Sequence, residues 1–278
     1  MGLKSVSVFR IFSGDKLVRN SLLNHLGVQP FRMLLARVIY KIIPFRKGKY
    51  IKEVDFIREN GMYQIQNFLP QEQFNALKEE VTNLWKRKDV KINIRDQGGC
   101  IMNVIDVKTL PQEELPQLIK YSKNDFLFSV ISGVEKRKIS FKNSAILLEK
   151  LVQGPQHLHD IEADMHSDIF FNTHKAWLYL NDVELKHGPL QYVPKSTVVN
   201  FNRLLREYKF SLDKTAKGSR RVSDDELSSR KLHPETLTCK ANTLVFGKVN
   251  GYHRRIRGLE GNERYAVCVS VRFNPFIY

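Results

Sequence analysis

The sequence predicts a mainly β protein with flanking helices, of the sandwich or jelly-roll type, and three observations predict it. From Ala145 onward the chain reads as short strands separated by turns, at 145–152, 166–171, 176–183, 189–193, 236–239, 243–247 and 264–273. Ahead of them, apolar residues alternate in one segment and recur at helical spacing in the next. Finally, 278 residues with 42% apolar and 27% charged side chains supply material for a real core, with no bias toward disorder or fibre. That length suits one large or two small domains.

The chain opens on a basic stretch. Residues 1–52 carry eleven Lys or Arg against one acid, Asp15, and so hold ten of the sixteen net positive charges. Within it, Pro30 and Pro44 bound a segment predicted as a short helix. There Leu34, Leu35, Val38, Ile39, Ile42 and Ile43 share one side, Arg37 and Lys41 lie on another, and Arg32 interrupts the apolar side. Such a helix suits a headgroup layer, with its cations against anionic lipid, and equally suits packing of its apolar face on the domain. Nucleic acid is the weaker partner, because no nucleic-acid motif accompanies the charge. Charged residues interrupt each early apolar run, so no signal peptide is expected, and Val6 stands where a myristoylation signal needs Ser or Thr.

A compact domain is expected over 53–278. Gly61 to Leu69 alternates like a strand, and Pro70 then opens a helix whose Phe74, Leu77, Val81, Leu84 and Trp85 form a core-facing stripe. Looser helical and strand segments follow Gly98-Gly99, before the strand series begins. One polar stretch, 211–233, interrupts that series; it is too long for an idle connection and is expected to be a lid or an ordered surface insertion. The three widely spaced cysteines, Cys100, Cys239 and Cys268, argue against a disulfide scaffold or a cysteine zinc cluster and point to a reducing, cytoplasmic setting. No apolar run reaches the roughly 18 residues of a membrane span, so membrane contact is expected only at the periphery.

Chemistry concentrates at His166-Ser167-Asp168. At the start of a strand, residues i and i+2 face the same way, so this imidazole and carboxylate point together. A second histidine from a distant strand would complete a two-His, one-carboxylate facial triad, leaving three positions on a divalent iron for substrate and O₂. Eight His and 13 Asp produce about 0.4 His-x-Asp pairs by chance, so context gives the pattern its weight. Gly251-Tyr252-His253 follows the strand 243–247, and Arg264 opens another strand eleven residues later. Between the two histidines lies Gly188-Pro-Leu-Gln-Tyr-Val-Pro194. The competing pair in His233-Pro-Glu235 sits in a polar loop with a central proline. Phosphate-binding loops, nucleophile elbows and dinucleotide fingerprints are absent from the sequence.

In this order of motifs the chain resembles the phytanoyl-CoA dioxygenase family of iron(II)/2-oxoglutarate oxygenases over residues 54–276. The 87 positions between His166 and His253 are also typical of that family. The resemblance implies a double-stranded β-helix, a cupin-like jelly roll. It also implies that His166, Asp168 and His253 bind Fe(II), and that the fixed fork of Arg264 holds the distal carboxylate of 2-oxoglutarate. Trp177 matches a position that lines the cosubstrate, a pattern that an ordinary core Trp satisfies equally. Three positions depart from the family: Arg255 replaces a small hydroxyl residue, Pro194-Lys-Ser-Thr197 lacks a terminal His, and Asn242 replaces an Asp.

The implied reaction is hydroxylation of an unactivated C–H bond with O₂ and 2-oxoglutarate, with ascorbate as a stimulant. Asp168, present where halogenases carry a small residue, disfavours halide transfer. Arg254, Arg255 and Arg257 crowd the distal loop and suggest a small-molecule or lipid- or saccharide-linked substrate that is anionic. The alternative is a non-catalytic jelly-roll binding protein that uses its basic N-terminus at a membrane surface. The sequence leaves the oligomeric state open.

Overall fold

The strand-rich half of the chain closes into two antiparallel sheets packed face to face. The computed structural model describes residues 14, 17–18, 20–44, 48–214 and 219–277. The larger sheet has the order β1 (Met62–Ile65), β10 (Thr243–Lys248), β6 (His174–Tyr179), β12 (Glu263–Val271), β4 (Ala145–Gln153), β3 (Cys100–Asp106) and β2 (Asn93–Asp96). The smaller has the order β8 (Arg220–Arg221), β5 (His166–Ser167), β11 (His253–Arg255), β7 (Leu190–Tyr192) and β9 (Glu235–Thr236). From β4 onward the chain passes back and forth between the sheets: β4, β6, β10 and β12 lie in the larger, and β5, β7, β9 and β11 in the smaller. That crossing pattern is a jelly roll, the double-stranded β-helix.

Eight α-helices accompany the sheets among the described residues: α1 (Ser21–His25), α2 (Val28–Ile42), α3 (Ile51–Asn60), α4 (Gln71–Leu84), α5 (Pro116–Tyr121), α6 (Asp125–Glu135), α7 (Phe201–Leu212) and α8 (Asp224–Ser229). Alternation along the strands divides the core in two. On β6, Ala176 and Leu178 join Leu244, Phe246, Val267 and Val269 in packing against Phe74, Leu77 and Val81 of α4 and Leu127, Val130 and Ile131 of α6. Lys175, Trp177 and Tyr179 take the opposite face, toward the smaller sheet. There Tyr179, Val183, Leu237, Val245 and Ala266 form a second apolar cluster, flanked by Trp177. Burying a Leu or Phe in the first cluster stabilises by about 1.5–3 kcal/mol each.

Several elements are shorter than their patterns suggest. The alternating run 61–69 pairs only as β1, because Asn67 takes a left-handed conformation at φ 50°. The predicted strand 166–171 ends after Ser167: the amide of Asp168 turns to the carbonyl of Val249, while Ile169, Phe170 and Phe171 leave to pack under α2. Within the polar segment 211–233, of which 215–218 lie outside the described residues, β8 forms the edge of the smaller sheet, with Arg221 opposite His166.

The N-terminal helix forms as expected but is rotated. Its buried side carries Gln29, Arg32, Met33 and Ala36. Of the predicted apolar side, Leu34, Val38 and Ile42 are exposed, while Leu35, Ile39 and Ile43 are half-buried. Arg32, which looked like an interruption, is the anchor. It donates to Gln29 Oε1 at 2.7 Å, Gln29 donates to Glu207 Oε1 at 2.7 Å, and Arg220 Nε donates to the same oxygen at 2.7 Å. Met33 and Ala36 fill the remaining contact against Phe170 and Phe171. Buried polar groups must be satisfied, and Gln29 finds its partner on α7 while Arg32 bonds Gln29 and the Gly14 carbonyl, so these bonds hold the rotation of the helix.

Candidate metal centre

Neighbouring strands of the smaller sheet bring the two motif histidines together. His166 on β5 is registered directly opposite His253 on β11, and their rings lie 4.5 Å apart between centroids. The chain enters β11 through a turn that requires glycine at Gly251, where a Cβ would collide with the Tyr192 hydroxyl. The Gly251 carbonyl accepts the Nδ1–H of His253 at 3.0 Å, and the Asp164 carbonyl accepts that of His166 at 2.7 Å. With both Nδ1 atoms donating to backbone, Nε2 is the nitrogen of each ring that faces inward.

Asp168 Oδ1 lies 3.5 Å from His166 Nε2 and 3.4 Å from His253 Nε2, and the three ligand atoms all fall within 4.8 Å of one another. Cis ligands of a six-coordinate ion with bonds of about 2.1 Å stand about 3 Å apart, so a divalent cation fits with small adjustments. His166 Nε2 is buried and makes no well-aligned hydrogen bond, although Glu162 Oε2 lies 3.0 Å away. An orphaned imidazole nitrogen, a second one beside it and one carboxylate oxygen are the donor set that ferrous iron accepts.

The local field also favours a cation. Burial disfavours charge on His166, yet Asp168 and Glu162 outweigh burial and lift its pKa to about 9. Burial likewise opposes ionised Asp168, and Lys175, His166 and His253 hold it well below the usual carboxylate range. Glu162, opposed by burial and held by His166, drops to about 2. The carboxylates that hold a proton on His166 would also favour a cation between these groups, which takes that proton's place on Nε2.

The other predicted site residues lie between the sheets. Arg264 on β12 donates to the carbonyl of Gly188, the first residue of the Gly-x-Leu-x-x-x-Pro segment, and lies 5.7 Å from the Tyr179 ring centroid. Burial lowers its pKa, and the nearby Arg255 adds to that. Trp177 faces the same interior, and its indole donates to Glu149 Oε2 at 3.1 Å. The arginines of the distal loop are engaged inside the protein. Arg255 bonds Asp160 at 3.0 Å and Gln97 at 2.8 Å, Arg254 bonds Gln191 at 2.6 Å, and Arg257 bonds the Pro155 carbonyl at 2.9 Å. Arg255 and Arg257 are thus tied to groups of the protein itself, and Arg254 is tied through its Nε.

Two groups at the centre escaped the sequence reading. Lys175 reaches Asp168 Oδ2 at 3.4 Å. It shares a strand face with Trp177 two residues later, so placing Trp177 inside would have placed Lys175 there too. Glu162 comes from an irregular loop with no periodic signal. Of the remaining histidines, His174 is buried on the far side of β6 against Glu135. His159 is exposed and pairs with Asp164 at 3.2 Å. His233 and Glu235 are exposed and do not enter a metal-holding group among the described residues.

The fold is shared with known enzymes. The non-heme alpha ketoglutarate dependent epimerase SnoN from nogalamycin biosynthesis superposes with a TM-score of 0.56 at 11% identity, covering 79% of this chain and 81% of that one. SnoN in complex with Fe3+, alpha ketoglutarate and nogalamycin RO gives the same values. HygX from Streptomyces hygroscopicus, with nickel and 2-oxoglutarate bound, superposes more loosely, with a TM-score of 0.49 at 11% identity over 80% of this chain and 87% of that one. No protein-family model matches the chain, and no curated protein matches it in sequence. At such identity the likeness to SnoN establishes a common jelly roll.

Proposed function

We propose that the chain is an iron(II)/2-oxoglutarate-dependent oxygenase of the phytanoyl-CoA dioxygenase type, hydroxylating a small or lipid- or saccharide-linked substrate. One observation carries the reading: two Nε2 atoms, both turned inward by backbone acceptors on Nδ1, converge on a single oxygen of Asp168. The fold supports it, since SnoN holds Fe3+ and alpha ketoglutarate in the same architecture. The order His166, Asp168, Gly188, His253, Arg264 supports it independently.

In this reading His166, Asp168 and His253 hold the iron, and Arg264 pairs with the distal carboxylate of 2-oxoglutarate, giving up its bond to the Gly188 carbonyl. Trp177 walls the cosubstrate space. When bound, ferrous iron with 2-oxoglutarate and O₂ supplies the oxidising power for C–H cleavage, and ascorbate keeps the metal reduced. The protein positions the target bond and keeps water from the interior. The excess of sixteen positive charges favours an anionic substrate through the general field, without a dedicated arginine clamp.

The test is succinate formation from 2-oxoglutarate with Fe(II) and ascorbate, first alone and then with a metabolite extract. Arg264→Lys is expected to raise the KM for 2-oxoglutarate at least tenfold, about 1.4 kcal/mol. A product heavier by one oxygen atom identifies hydroxylation, whereas a product of unchanged mass points to epimerisation as in SnoN. Failure of the protein to bind Fe(II) or Co(II) in calorimetry overturns the reading and leaves a non-catalytic jelly roll.

A further inference from the structure

We propose that the outward stripe of α2 docks the protein on a bilayer bearing anionic headgroups. The stripe comprises Phe31, Leu34, Val38 and Ile42, spaced three and four residues apart on one side of the helix and exposed at 54, 45, 44 and 71%. Packed against α2, the short helix α1 and the residue that caps it add Leu22 and Leu26, exposed at 68 and 71%. Single exposed apolar residues are ordinary, but six grouped on two adjoining helices form a patch of the kind that marks a contact surface.

The stripe cannot turn inward. On the opposite side of α2, Arg32, Gln29, Glu207 and Arg220 form one bonded chain in the interior, and Met33 and Ala36 fit against Phe170 and Phe171. Rotating the helix would bury Phe31, Leu34, Val38 and Ile42 only by breaking that chain and leaving its charges without partners. An apolar stripe is thus held toward solvent by a desolvated polar network behind it.

Charge selects the occupant. Arg37 and Lys41 flank the stripe on α2. At the end of the helix, Lys136 Nζ donates to the carbonyls of Lys41 and Ile43 at 3.2 and 3.1 Å. Beyond it Lys49, Lys123, Lys136, Lys138 and Lys142 line one surface groove with Pro44, where Asp125 is the lone acid. A second copy seated across a two-fold axis would bring these cations against themselves. An anionic lipid surface meets them with opposite charge while its acyl boundary receives the leucines, phenylalanine and isoleucine. Among the described residues no helix is long and apolar enough to cross a membrane, so the contact is peripheral.

The experiment is co-sedimentation of the full chain with vesicles of phosphatidylcholine alone and with about one-third phosphatidylserine. The protein is expected to pellet with the mixed vesicles, less so in high salt. The triple variant Leu34→Gln/Val38→Gln/Ile42→Gln should lose at least about tenfold in binding, with an unchanged melting temperature because the replaced side chains are exposed. Arg37→Gln/Lys41→Gln should weaken the preference for phosphatidylserine. As a second readout, Ile42→Trp should show a blue-shifted emission on mixed vesicles only. Equal pelleting of wild type and triple variant, or an unshifted Ile42→Trp emission, overturns the proposal. So does a triple variant that turns a dimer into a monomer while its vesicle binding stays the same. None of these readouts depends on metal or turnover, so they stand or fall apart from the oxygenase reading.

Discussion

Lys175 Nζ lies 3.4 Å from Asp168 Oδ2, while the other carboxylate oxygen, Oδ1, faces the Nε2 atoms of His166 and His253 at 3.5 and 3.4 Å. The carboxylate is divided between a lysine and the space where a cation fits, so Asp168 offers one oxygen rather than two. Lys175 is itself held near the Trp177 ring, 6.0 Å from its centroid, and Trp177 is tied to Glu149. A chain of contacts thus runs from the wall of the jelly roll to the carboxylate of Asp168, whose other oxygen faces the two histidines.

Lys175→Met should leave Asp168 free to rotate, and affinity for Co(II) or Ni(II) should fall by about 10–100-fold, as for other groups that orient a ligand. Lys175→Arg should restore part of the loss. Titration calorimetry measures both, and equal affinities in wild type and Lys175→Met would falsify the positioning role.

Asp168 and His174 should separate metal binding from stability. A metal present at 100 times its Kd raises stability by about 2.7 kcal/mol, visible as a higher Tm. That gain should vanish in Asp168→Ala. In His174→Leu it should persist on a protein about 1–3 kcal/mol less stable, because Glu135 loses its buried hydrogen-bond partner. A metal-induced Tm shift that survives in Asp168→Ala would rule out this ligand set.

Glu207 is fully buried and accepts from both Gln29 and Arg220. Glu207→Gln leaves the Arg220 guanidinium buried without a counter-charge, at an expected cost of about 3–5 kcal/mol in urea unfolding. Amide exchange along α2 should accelerate with it. A loss under about 1 kcal/mol would mean that the network does not hold the helix.

Lys248 is buried, and its pKa is pushed from 10.5 to about 8 by burial, with Arg37 and Arg58 adding to the effect and Glu135 opposing it. Below pH 8 the lysine is charged in folded and unfolded chains alike, and the fold bears the full cost of burying it. As pH rises through 8 the folded lysine loses its proton first, so its contribution raises stability up to about pH 10.5. Lys248→Met should flatten that rise and add up to about 3 kcal/mol at pH 7, as read from melting curves at pH 7 and 9.5. Parallel pH profiles for the two proteins would show that the lysine is not the group responsible.

Local pattern was enough for much of the architecture. Short strand-like runs between turns marked β4, β6, β10 and β12 within a few residues, and helical spacing marked α4 through Phe74, Leu77, Val81 and Leu84. The order of His166, Asp168 and His253 in the sequence named three side chains that the fold brings together, with His166 on β5, His253 on β11 and Asp168 just past the end of β5. Other features had no local signal. The strand carrying His166 stops short because the Asp168 amide finds the carbonyl of Val249. The arginines at 254, 255 and 257 look in the sequence like an anion trap, yet Gln191, Asp160 and backbone carbonyls already engage them.

What the sequence by itself determined is periodic: which residues alternate, which recur at helical spacing, and in what order the metal-binding residue types come. What only the tertiary structure decided is which partner each polar group finds. Gln29 meets Glu207 across 178 positions of chain, and that bond, not the hydrophobicity of α2, sets which side of the helix faces water. Apolar burial is nondirectional and can be read from pattern, whereas a buried charge must meet one specific partner, and that partner exists only once the chain has folded.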